Sequence, residues 1–114
     1  MPLPSELTAL VERLDREIDL VESDAREAIE IGIDLLNRFP DNFTLIQLVA
    51  FLNTSQFYAK AREINYGVVW KASSANPTPA NLQEAGEDLS IELGRILETK
   101  IRVMRVKNRL ETLR

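Results

Sequence analysis

The stretch LTALVERLDREIDLVESDAREAIEIGIDLLNRF, residues 7–39, decides the fold. Two sets of positions recur every seven residues along it. One is Leu7, Leu14, Val21, Ala28 and Leu35; the other is Val11, Ile18, Ala25, Gly32 and Phe39. All ten are apolar or small, the pattern of a helix packed lengthwise against partner helices. On the other side, Glu12–Arg16, Glu22–Arg26 and Asp34–Arg38 are i, i+4 pairs in the favourable order, each stabilising by roughly 0.3 kcal/mol. Ser5 suits the N-cap, and Glu6 suits the positive helix end. The first helix is therefore predicted over about 5–39.

RFPDNF, residues 38–43, stops that helix, because Pro40 cannot continue it and Asp41 or Asn42 can cap the next. A second helix is predicted over about 42–73. It carries two apolar stripes. Ile46, Ala50, Asn53, Phe57, Ala61, Ile64 and Val68 form one; Leu45, Leu52, Ala59, Tyr66 and Val69 form the other. Two stripes fit a middle helix packed between two neighbours. Asn53, Ser55 and Gln56 interrupt these stripes and are read as polar positions that set register. SSANPTPAN, residues 73–81, is a loop in which Thr78 and Pro79 read as N-cap and N1.

The third helix is predicted over 79–113. Leu82, Leu89, Ile96, Val103 and Leu110 hold one heptad position. Leu97, Ile101 and Met104 lie to one side, so the helix carries more apolar surface than two intrachain neighbours need. The expected fold is all-α: three long antiparallel helices, up-down-up, in a single domain over 1–114. Helices of this length would be about 50 Å long. A rod so thin has little core per layer, and homodimerisation into a larger bundle is expected to complete it. The layout is similar in outline to spectrin-type repeats and other rod-like helical modules, a likeness of architecture that implies no function.

Composition excludes several chemistries. The 114 residues contain no cysteine and no histidine. That removes disulfides, thiolate nucleophiles, Cys/His zinc sites, Ser-His-Asp triads and Glu-x-x-His di-iron ligands. No cofactor motif is present, and no enzyme is expected. Glu17, Glu63, Asp88 and Glu92 are possible acid–base or cation-binding groups, but no spacing selects them. No apolar run approaches the roughly 20 residues of a membrane span, and no secretion signal opens the chain, so a cytoplasmic location is expected.

Charge is unevenly placed. Residues 1–41 carry eleven acids and four bases, whereas residues 95–114 carry seven bases and two acids. Arg95, Arg102, Arg105 and Arg109 of the third helix suit a nucleic-acid backbone, an anionic surface, or the acidic face of another subunit. Glu98 stands among them, and no aromatic residue is interleaved for base stacking. On the second helix Tyr58, Arg62 and Tyr66 recur every four residues. An arginine between two phenols can hold a carboxylate or phosphate. It can equally pair with an acid of a neighbouring helix in a polar seam, the reading favoured here.

Glycines 32, 67, 86 and 94 all fall inside predicted helices, where each costs roughly 1 kcal/mol relative to alanine. Close packing is the expected reason, with Trp70 buried over Gly86 and near Val11. The leading functional expectation is an interaction or scaffold module that binds a protein partner as a homodimer. Nucleic-acid binding through the arginine face is the alternative, and a small-anion sensor at Arg62 is the third.

Overall fold

The computed structural model describes residues 4–114 and consists of α1 (Pro4–Arg38), α2 (Phe43–Ala75) and α3 (Pro79–Leu113). The three helices pack side by side into a rod whose principal extents are 57 × 18 × 15 Å. Cross-helix pairs set the directions. Tyr66 meets Asp15 and Val49 meets Gly32, so α2 runs antiparallel to α1. Lys100 meets Glu17 and Lys107 meets Asp24, each 83 residues apart, so α3 runs parallel to α1.

Local chemistry places the ends. Asn42 caps α2, its side-chain oxygen accepting from the Leu45 amide at 3.1 Å. Thr78 caps α3 in the same way, accepting from the Asn81 amide at 3.2 Å, with Pro79 in the first turn. Asn81 reaches back to the Asn76 carbonyl at 2.8 Å and ties the loop down. Ser5 already lies within α1, as a helical residue rather than the cap.

The heptads are the core. Leu7, Leu14, Val21, Ala28 and Leu35 are buried together with Ile18, Ala25 and Gly32. Val11 is half-buried, and Phe39 lies exposed in the turn beyond the helix end. Leu82, Leu89, Ile96, Val103 and Leu110 are buried from α3. From α2 come Leu45, Leu52, Ala59 and Tyr66, and the seven-residue step continues to Ser73. Val69 is half-buried.

The other α2 stripe departs from expectation. Ile46, Ala50, Asn53, Phe57, Ala61, Ile64 and Val68 are all exposed. In a three-helix bundle one broad arc, with Leu45 and Leu52 at its centre, touches both neighbours; the second stripe points outward.

Glycine roles divide. A Cβ on Gly32 would stand 2.5 Å from Cγ2 of Val49, so glycine lets α1 and α2 approach there. Gly67 and Gly94 have open space where a Cβ would be, and close packing does not account for them. α2 continues unbroken through Gly67. Gly86 lines an open cleft with Glu6, Leu7 and Leu10 of α1, and Trp70 is not among its walls. Trp70 itself is half-buried against the core, less enclosed than expected.

Candidate functional site

The three residues of the tyrosine–arginine ladder part company. Four-residue steps on a helix drift around its axis, and over two steps that drift separates faces. Arg62 faces α3, where Nη1 donates to Glu92 Oε1 at 3.1 Å and Oε2 at 3.4 Å. Its guanidinium lies over the Tyr58 ring, 5.3 Å from the centroid. Tyr66 turns toward α1 instead, and its hydroxyl donates to Asp15. Burial, and then the Asp15 carboxylate beside it, push the Tyr66 phenol above its ordinary pKa.

Glu92 is the hub of this seam. Its side chain is 4% exposed and accepts from Arg62, from Asn65 Nδ2 at 2.8 Å and from Arg95 Nη1 at 3.1 Å. Burying a carboxylate is costly unless such a set of donors satisfies its oxygens. The Arg62 Nε is buried without a partner. A signal for Glu92 exists in the sequence. It is the lone acid on the line Leu82, Ala85, Leu89, Glu92, Ile96, whose other members are apolar and buried.

The α1–α3 groove holds a second set of charges. Lys100 donates to Glu17 at 2.9 Å; Lys107 donates to Asp24 at 3.3 Å and Glu27 at 2.6 Å. The hydrogen bond to Glu27 holds the Lys107 pKa above its ordinary value, and the same contact lowers that of Glu27. Part of the basic surplus of α3 thus meets the acidic surplus of α1 within the chain.

The arginine face divides as well. Arg95 is held by Glu92, and Arg102 by Glu98 at 2.6 Å. Among the described residues no carboxylate lies within ion-pair reach of Arg105 or Arg109, and both are exposed. Arg95 and Arg102 share an open cleft between α2 and α3 with Tyr58, Ser55, Thr99 and Glu98. The Ser55 and Thr99 hydroxyls bond their own helix carbonyls, at 2.9 and 3.0 Å. Of the other carboxylates singled out, Glu17 and Glu63 pair with lysines, and Asp88 lines a separate cleft. Among the described residues no three potential metal ligands converge.

The outer face of α2 is chemically different. Phe57 is 79% exposed, Phe43 69%, and Ile64 and Val68 63% each. Ile46, Ala50 and Ala61 lie between them on the same side. The 33 residues of α2 contain four charged side chains, Lys60, Arg62, Glu63 and Lys71. The helix thus carries apolar side chains on its outer face as well as on the face turned to the core. No family, curated protein or solved structure matches this chain. Among the described residues no helix is long and apolar enough to cross a membrane.

Proposed function

We propose that this chain is an interaction module that binds a helical protein partner along the outer face of α2. The supporting observation is the exposed line from Phe43 to Val68. With about 200 Å² for a phenylalanine side chain, its two phenylalanines alone hold roughly 300 Å² in water. Ile46, Ile64 and Val68 add to them along the same line, and apolar patches beyond a few hundred Å² mark interaction sites. The exposure is built into the sequence. α2 devotes one arc to the core and keeps a second apolar arc that the three-helix fold has no use for.

The role is binding rather than catalysis. The titratable groups of the seams are spent on one another, Glu92 on three donors and Lys107 on two acids.

An apolar dye tests the reading. Dilute wild-type protein is expected to take up 8-anilinonaphthalene sulfonate. Phe57→Glu, with its helicity intact by circular dichroism, is expected to lose most of that uptake. Equal uptake by both proteins, or none by a monomeric wild type, removes the reading.

A further inference from the structure

We infer that the occupant of the outer α2 face is a second copy of this chain, with the two α2 helices antiparallel about a two-fold axis near Thr54–Phe57. This rests on the α2 face being a binding surface, and it names the partner.

Three observations carry it. The first is spacing. Along the face the apolar and small positions step by three or four residues, the period of a helix–helix seam. Read backwards, the same positions coincide with themselves to within one residue. Phe43 then meets the partner's Val68, Ile46 the partner's Ile64, and Ala50 the partner's Ala61. Phe57 lies over the partner's Asn53, which leaves room for the ring. An isologous contact requires this self-complementarity; a seam shaped for an unrelated helix does not.

The second is charge. A parallel pair would set Lys60 and Lys71 each against its own copy. Reversing the direction carries Lys71, one turn beyond Val68, to the turn that holds the partner's Asp41. Both residues are exposed and neither has an ion-pair partner among the described residues. The contact then occurs twice, once at each end.

The third is area. The face from Phe43 to Val68 runs about 37 Å along the helix. Standard interfaces bury about 800 Å² on each partner. The two phenylalanines, the three aliphatic side chains and the small residues between them supply an area of that order. In the three-helix rod these outer α2 positions are exposed from Phe43 to Val68, so neither α1 nor α3 of the same chain covers them.

The absence of cysteine makes the test clean. Sedimentation equilibrium at about 10–200 µM reads the mass, and single-cysteine variants under mild oxidation read the direction. The expected results are a dimer and efficient cross-linking of Ala50→Cys mixed with Ala61→Cys. Each variant alone is expected to cross-link weakly. Phe57→Glu is expected to raise the dimer dissociation constant at least ~30-fold, the loss typical of a central hot spot.

A wild type that stays monomeric at 200 µM yet binds the dye overturns the second copy and leaves the binding surface standing. A monomer that binds no dye overturns both. Strong cross-linking of Ala50→Cys with itself replaces the antiparallel pair by a parallel one. A dimer indifferent to Phe57→Glu places the self-contact elsewhere and overturns the inference, while dye uptake lost in Phe57→Glu leaves the proposed surface standing.

Discussion

Gly32 of α1 packs directly under the Val49 side chain of α2, with no room for a side chain of its own: a methyl group on Gly32 would sit 2.5 Å from a Val49 methyl. Valine is stiff about χ1 in a helix, so it cannot move aside cheaply. Leu110 stands 3.7 Å away and closes the other side. Gly32→Ala gains up to ~1 kcal/mol of helix propensity and loses more to overpacking. A net destabilisation of about 1–2 kcal/mol is expected. Gly67→Ala and Gly94→Ala meet open space and are expected to stabilise by about 0.5–1 kcal/mol each. Urea unfolding of the three variants checks the contrast, and a stable Gly32→Ala would show that the helices separate at no cost.

Glu92 is expected to be the most sensitive polar residue. Glu92→Ala removes the acceptor shared by Arg62, Asn65 and Arg95, and leaves the half-buried Arg62 facing a void. A loss of about 3–5 kcal/mol is expected. Arg62→Met strands a carboxylate that still keeps two donors, so its loss is smaller, about 1–3 kcal/mol. Combining Arg62→Met with Glu92→Leu is expected to recover much of the stability, because an apolar pair can replace a buried ion pair. The same pairing bears on the anion-sensor alternative. A guanidinium spent on Glu92 has little to offer phosphate, so millimolar phosphate is expected to leave the wild-type melting temperature unchanged. A saturable rise that Arg62→Met abolishes would restore Arg62 as a ligand site.

The heptads of α1 and α3 were legible because their buried positions, Leu7 to Leu35 and Leu82 to Leu110, repeat without interruption. The caps at Asn42 and Thr78 were legible for a local reason: capping needs only the few residues around it. Ser5 suits a cap by residue type, yet it lies inside the helix, because type alone does not fix where a helix starts. What sequence pattern does not carry is direction around the bundle. Two apolar stripes on α2 look alike in sequence, and only the meeting of three helices decides that Leu52 goes inward and Phe57 outward. Tyr58, Arg62 and Tyr66 share a spacing, yet the partners that separate them, Glu92 and Asp15, lie 30 and 51 residues away. Glu92 could have been singled out as the one acid on a buried apolar line.

Stability is expected to fall at alkaline pH. The Tyr66 phenol is raised above its ordinary value of 10.0, by burial first and then by Asp15. Lys107 is raised above 10.5, by its hydrogen bond to Glu27 first. A group raised in the folded state contributes fully below its unfolded pKa, and the contribution is lost as pH climbs through the folded value. Both terms are therefore intact at neutral pH and weaken above about pH 10. Glu27 has the opposite sign. It is lowered from 4.5, so its contribution is present above that value and disappears as pH falls below it. Melting curves between pH 8 and 11 are expected to drop more steeply for the wild type than for Tyr66→Phe. The variant itself costs about 1 kcal/mol at pH 7, because the exposed Asp15 regains water. Parallel curves would remove Tyr66 from the alkaline transition.

The arginine face of α3 makes the last prediction. Of its four arginines, Arg95 and Arg102 are engaged by Glu92 and Glu98, which leaves Arg105 and Arg109 for a phosphate backbone. Each phosphate contact on duplex DNA contributes about 0.9 to the slope of log affinity against log salt. Two guanidiniums one turn apart thus support a slope near 2, against the 6–10 contacts typical of tight binders. The acidic outer face of α1 opposes approach from that side, and the chain as a whole carries −4. No binding to duplex or single-stranded DNA or RNA is expected at 10 µM protein and 50 mM salt. Arg105→Glu with Arg109→Glu is then expected to change neither fold nor mass, since neither residue lies on the outer α2 face. Affinity that falls steeply with salt, with a slope well above 2, and that disappears in the double variant would establish the nucleic-acid reading in place of the protein one.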